Sequence, residues 1–228
     1  MGRLVNVFID PKPAFADIAA RPRWWVPMVL IALCFLGYAL VFSSHVGWDH
    51  TIRQQFESEK RTETLSPEQR ERELEARLKF GPPFGTAMMV VVQPVMMLIT
   101  AGALLLVFNV LMGAAAKFKQ VLAVAAYASL PALLALGGGL LVMFLKDPSD
   151  FDLQNPAGYN LGFYLDPKPA WLHSLGACID VFAFWGILLL ATGMAAVTKK
   201  RWSSALTGVL IPWGVFVILR VGAAAISG

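Results

Sequence analysis

Long stretches without charge constrain this chain more than any other feature of its sequence. Apolar runs lie between Arg23 and Asp49, between Lys79 and Lys117, and between Lys119 and Lys146. A fourth covers about 171–197 with Asp180 as its one charge, and a fifth lies between Arg201 and Arg220 and continues apolar to Gly228. A membrane-spanning helix needs about 20 such residues, whereas a water-soluble α/β core interrupts its apolar runs with frequent turns. The chain is 57% hydrophobic and 15% charged, against about 45–50% and 25% for a soluble domain. That excess could fill a large core or face lipid, and its concentration in unbroken runs assigns it to lipid. Hydrocarbon offers no partner to backbone amides and carbonyls, so each segment must satisfy its own, which selects helices. The expected fold is therefore all-α: a polytopic transmembrane bundle of five helices. The spans fall at about 25–43, 84–112, 119–145, 171–197 and 204–226, with an outer helical loop at 44–83 and one membrane domain over 1–228.

Charge fixes the expected orientation, because Lys and Arg near span ends favour the cytoplasmic side. With the N-terminus inside, the inner segments carry nine basic residues (Arg3, Lys12, Arg21, Arg23, Lys117, Lys119, Lys199, Lys200, Arg201) against Asp10 and Asp17. The outer segments are balanced or acidic: seven basic and eight acidic residues at 44–83, and two against four at 146–170. The expected location is the bacterial cytoplasmic (inner) membrane, N-terminus in the cytoplasm and C-terminus outside. Trp24, Trp25, Trp171 and Trp202 sit at the expected boundaries, as interfacial aromatics do. Net charge is +4, but the basic residues flank the apolar runs, so nucleic acid is not expected as a partner. The first run is too long for a signal-peptide core and lacks a cleavage site, so it reads as a permanent span. Asn6 stands where a myristoylation signal needs Ser or Thr.

Between the spans, the local chemistry is helical. Asp10-Pro11 is a good helix start, and Phe15, Ile18 and Ala19 form an apolar strip, so an interfacial N-terminal helix ending at Pro22 is expected. The pattern nearly recurs at Asp166-Pro167-Lys168-Pro169-Ala170-Trp171, either as the trace of an internal repeat or as helix-start chemistry used twice. In the outer loop, Trp48, Ile52 and Phe56 make one strip at four-residue spacing. Ser66 and Gln69 form a capping box around Pro67. Glu68/Arg72, Glu73/Arg77 and Glu75/Lys79 are four apart. Gly81-Pro82-Pro83 is expected to stop that helix, leaving an extramembrane hairpin. Asp147, Asp150 and Asp152 suggest a weak oxygen cluster without a full calcium-loop pattern. Cys34 and Cys178 have no metal or redox spacing, and no metal or cofactor is expected.

Four segments carry a family resemblance: Arg21-Pro22-Arg23-Trp24-Trp25, Tyr127-Ala128-Ser129-Leu130-Pro131, Asp180-Val181-Phe182-Ala183-Phe184-Trp185 and Leu210-Ile211-Pro212-Trp213. In their order along successive spans the chain resembles the Yip (Ypt/Rab-interacting protein) membrane family in its shorter bacterial form. The resemblance implies five spans, a cytoplasmic N-terminus and a short far-side C-terminus. Eukaryotic relatives act in vesicle traffic and bind prenylated Rab GTPases through a long N-terminal extension. Here about 23 residues precede the first span, which argues against Rab-type GTPase binding.

Within the spans, Asp180, Gln93, Pro94, Ser129, Pro131 and Pro212 fall at about one level if each segment is a continuous helix rising about 1.5 Å per residue. Proline removes a backbone donor and frees a carbonyl, and an ionised Asp at mid-bilayer costs about 2.5–3.5 kcal/mol on insertion scales. This candidate intramembrane polar layer supports either of two readings. In the first, Asp180 fixes helix packing in a non-enzymatic membrane-organising or partner-binding protein, whose partners are the lipid bilayer and other membrane proteins or itself. In the second, the layer serves a small ion, proton or lipid channel or transporter. An intramembrane enzyme lacks both a nucleophile–base pair and a metal-ligand set, and no catalytic residue is assigned.

Overall fold

A computed structural model describes residues 2–59, 64–153 and 155–227, and these are helical with no strand among them. The helices are α1 (Gly2–Ile9), α2 (Pro11–Ala20), α3 (Trp25–His45), α4 (Trp48–Ser58), α5 (Pro67–Leu106), α6 (Phe118–Ala128), α7 (Pro131–Leu145), α8 (Ala170–Cys178), α9 (Val181–Thr198) and α10 (Trp202–Ser227). A π-helical turn, Val107–Leu111, extends α5, and short 3₁₀ turns cover Pro148–Asp150 and Leu161–Tyr164. Five segments are long and apolar enough to cross a membrane: Trp25–His45, Pro67–Leu111, Phe118–Leu145, Val181–Thr198 and Trp202–Ile226. The all-α reading with five spans therefore holds.

Three helix boundaries differ from expectation. Gly81-Pro82-Pro83 does not stop its helix, because α5 runs unbroken through it. The prolines remove only the donors that the Leu78 and Lys79 carbonyls would meet, and Gly81 offers a bare surface on which Ile52 packs. The third segment is two helices, because Ser129-Leu130 form a turn and Pro131 begins α7, a position where no N–H is needed. The fourth segment is likewise split at Ile179-Asp180.

The chain divides into two compact units. One comprises Met1–Ile31, Pro94–Ala135 and Gly158–Gly228. Its centre is α6, in which every residue from Val121 to Ala128 is buried. Asp10 precedes α2 with Pro11 as the first helical residue, and the strip of Ala14, Phe15, Ile18 and Ala19 is buried where α2 packs on α6 and α9. Gly193 makes that approach possible, since a Cβ there would lie 2.4 Å from Val124 and 2.9 Å from Phe15. Gln120 fastens the same corner: its side chain accepts from the Lys117 N–H (3.2 Å) and donates to the Ala19 carbonyl (2.9 Å). Asp17 receives both Arg21 and Arg3, and Arg3 also donates to the Arg21 carbonyl at 2.9 Å, which ties α1 to the end of α2. The hydrogen bonds from Arg21 and then Arg3 hold the Asp17 carboxyl below its ordinary value. Asn109, in the π turn, closes the next connection by exchanging two bonds with the Ala116 backbone (2.9 and 3.0 Å). Lys199, in the left-handed region (φ 57°), ends α9 ahead of α10.

The other unit comprises Ala32–Gln93 and Leu136–Ala157. Tyr38, Phe42, Met143 and Phe151 form its buried centre. The expected hairpin is present: Ser66 and Gln69 exchange capping bonds (3.1 and 3.3 Å), and α4 packs its Trp48–Ile52–Phe56 strip on α5. Trp48 lies over Gly85 and Ile52 over Gly81. Phe56 is buried under Arg77, 5.0 Å from its ring centre, and Arg77 grips Glu59 with two bonds of 2.8 Å and Glu73 with a third of 2.8 Å. Asp147 caps its 3₁₀ turn through the Ser149 amide (3.0 Å) and hydroxyl (2.7 Å), which lower its pKa. Among the described residues no acidic, His or Cys group is arranged to hold a metal ion.

Overpacking at the α2–α9 contact should cost about 1–3 kcal/mol, so Gly193→Val is expected to lower the thermal midpoint in detergent; an unchanged midpoint would contradict the packing described. Because the folded pKa of Asp17 lies below its ordinary 3.8, its contribution is full above that value and is lost as pH falls below it. The protection of α1 amides against hydrogen exchange, taken relative to their intrinsic rates, should therefore fall in that acid range in the native chain, and at neutral pH in Asp17→Asn.

Candidate functional site

The first unit contains a place where membrane-helix geometry fails and is repaired: the junction of α8 and α9. Helix α8 ends at Cys178, with the Ile179 N–H closing on the Gly176 carbonyl at 3.0 Å. Helix α9 begins with Asp180 as its N-cap, in extended conformation, accepting from the Ala183 N–H at 2.8 Å. Asp180 is thus not in mid-helix. It is half-buried, and its carboxylate satisfies one of the amides that any helix start leaves open.

The backbone groups left by the break are met from the connection before α8. Leu161 N–H donates to the Ile179 carbonyl (3.0 Å), and Val181 N–H donates to the Tyr159 carbonyl (3.2 Å). Asn160 and Asp180 therefore face each other as an isolated antiparallel bridge. Asn160 caps the Leu161–Tyr164 turn as Asp180 caps α9, accepting from Phe163 N–H at 3.2 Å. Two glycines allow the turn to sit on α8: a Cβ on Gly162 would lie 2.8 Å from the Ala177 nitrogen, and one on Gly176 would lie 2.9 Å from the Gly162 nitrogen. Tyr159 stacks edge-on against Phe182 at 4.9 Å. No side-chain periodicity announced this bracket, and the glycine pair at 162 and 176 was its one sequence trace. The second copy of the proline pattern also behaves differently here: Lys168–Pro169 is cis and the helix starts only at Ala170, whereas Pro11 starts α2 directly.

The other residues of the expected polar layer fall as follows. Ser129 ends α6, and its hydroxyl donates to the Ala125 carbonyl at 2.9 Å. Next to it, a Cβ on Gly186 would lie 3.4 Å from the Ala128 carbonyl, so α9 passes the Ser129–Pro131 break directly. Pro212 lies inside α10, beside Trp213, which packs on Phe184 of α9 at 5.8 Å. The starts of α9 and α7 and the proline of α10 are thus linked through adjacent residues. Pro94 lies half-buried within α5 of the same unit, while Gln93 belongs to the other unit.

These features define a polytopic α-helical membrane protein with interrupted spans. The Yip1 domain profile matches residues 5–223, and the chain belongs to that family. It is similar to the Membrane protein YknW of Bacillus subtilis (strain 168), 25% identical over 220 residues, 93% of this chain and 88% of that protein. No solved structure resembles the chain with statistical significance.

Removing the N-cap should cost about 0.5–2 kcal/mol. Asp180→Ala is expected to lower the thermal midpoint, while Asp180→Asn, which keeps an acceptor, should stay close to the native value; equal loss in both would show that charge rather than capping is what the junction requires.

Proposed function

We propose that this chain is a non-enzymatic membrane-organising protein of the bacterial cytoplasmic membrane, acting as one domain over 1–228 and binding other membrane proteins or copies of itself. The N-terminus is cytoplasmic and the C-terminus outside, following the positive residues. The observation that carries the reading is α10. In its most apolar window 6% of residues are buried, against 22–28% in the other four spans. Val215, Phe216, Ile218 and Leu219 are exposed, and a Cβ on Gly214 or Gly222 would meet nothing within 4 Å. Small residues on an exposed helix face let another helix approach closely.

The polar layer supports the same reading. Asp180 and Ser129 each engage a backbone group of their own chain, which is packing chemistry. The interrupted spans also suit the channel or transporter alternative, because broken helices are a feature of such sites.

In mild detergent, the native chain should co-purify with the same membrane partner, or with a differently tagged copy of itself, and Gly214→Leu with Gly222→Leu should reduce that recovery severalfold while leaving the thermal midpoint in place. Reporter fusions should place the two ends in opposite compartments. Ion flux in liposomes that Asp180→Asn abolishes would replace this reading with the transport one.

A further inference from the structure

We infer that α1 and α2 form a re-entrant hairpin, sunk into one leaflet beside the spans, with Val5 and Ile9 of α1 against lipid acyl chains. The two helices are joined by Asp10 alone. Arg3, near the start of α1, bonds Asp17 and the Arg21 carbonyl at the end of α2. The helices are therefore antiparallel, with Arg3 and Arg21 at the open end of the hairpin and Asp10 at the closed end.

Contacts with the helices of the first unit give the depth. The open end lies by the start of α6, where Gln120 donates to the Ala19 carbonyl at 2.9 Å. Phe15 meets Gly193, six residues before Lys199, or about 9 Å along α9. Phe8 stacks edge-on against Trp185 with ring centres 5.5 Å apart, fourteen residues before Lys199, or about 21 Å along α9. The hairpin thus runs down the side of α9. A helix lying on the membrane surface would meet only the ends of the spans.

That depth identifies the medium. From Val181 to Thr198 α9 is apolar enough to cross a membrane, and Lys199, Lys200 and Arg201 mark where it leaves. Alongside such a segment the surroundings are hydrocarbon. Helix α1 buries Val7 and half-buries Phe8, while its other side carries Gly2, Val5, Asn6 and Ile9. Val5 is 53% and Ile9 76% exposed. The charges are distributed to match. Arg3, Asp17 and Arg21 pair at the shallow, open end. Asp10 and Lys12, both exposed, lie at the closed end. Charge at the bilayer centre is costly, so these two hold the tip within its own leaflet. The depth is independent of what α10 binds. The leaflet is the cytoplasmic one under the orientation proposed above.

The test is a spin-label depth profile of the full chain in vesicles of phosphatidylethanolamine and phosphatidylglycerol. Labels are placed singly through Val5→Cys, Ile9→Cys, Ala16→Cys and Ala20→Cys, all exposed positions, with Cys34→Ala and Cys178→Ala removing the native thiols. The label at position 9 should collide with oxygen severalfold more often than with a water-soluble nickel complex. It should lie about 6 Å deeper than the label at position 5, the rise of four helical residues. Position 16 should likewise lie deeper than position 20, so depth increases along α1 and decreases along α2. The α2 pair leaves α1 unaltered and reads the same profile where a label on α1 disturbs it. Depth is measured from the bilayer, so a reversed orientation of the chain leaves the expected profile intact. Equal depths within both pairs, a position 9 reached mainly by nickel, or a position 9 that neither reagent reaches would overturn the inference.

Discussion

Backbone hydrogen bonding is the constraint on which the rest of this molecule depends. A span in hydrocarbon must satisfy every amide and carbonyl from within, yet two of the five apolar segments are interrupted. The fourth tolerates its break because the connection at Tyr159–Leu161 donates and accepts in place of the missing helical turn. The third tolerates its break because Pro131 needs no acceptor and Ser129 returns its hydroxyl to α6. Side chains at these points complete a backbone ladder. The polar character of Asp180, Asn160 and Ser129 is thereby explained without a bound ligand.

Small residues decide how close the elements come. Gly193 admits Phe15 and Val124, and so lets an N-terminal helix of modest length bury its strip on protein. Gly162 and Gly176 bring two backbones together where no side chain would fit. In the hairpin unit, Gly81 and Gly85 let α4 lie on α5, and that seat lets one helix continue through two prolines. Each of these contacts joins segments distant in sequence.

Much of this is legible in the sequence. Long apolar runs with at most one charge mark all five spans, and cap chemistry locates the starts at Pro11 and Pro67, because both signals act over a few residues or one helix. The breaks were not legible. Hydropathy is insensitive to a two-residue interruption, so Ile179-Asp180 and Ser129-Leu130 read as continuous helix, and the sequence puts Asp180 in mid-span rather than at a helix start. The opposite error at Gly81-Pro82-Pro83 has the same origin. Local propensity argues for a stop, and the packing of Ile52 and Trp48, some thirty residues earlier, overrides it.

The position of Asp180 bears most directly on function. A carboxylate in the middle of a continuous helix would have no backbone donor of its own and would have to find a proton, a cation or a partner helix. At a helix start it faces open amides and the positive end of the helix dipole, and one of its oxygens accepts from Ala183. The cost of bringing the group into an apolar segment is then offset locally, within one turn. A site whose polar groups are engaged in this way is arranged to hold a shape. Such an arrangement gives the polar groups of this Yip1-family chain a structural task, closing the backbone at its interrupted spans.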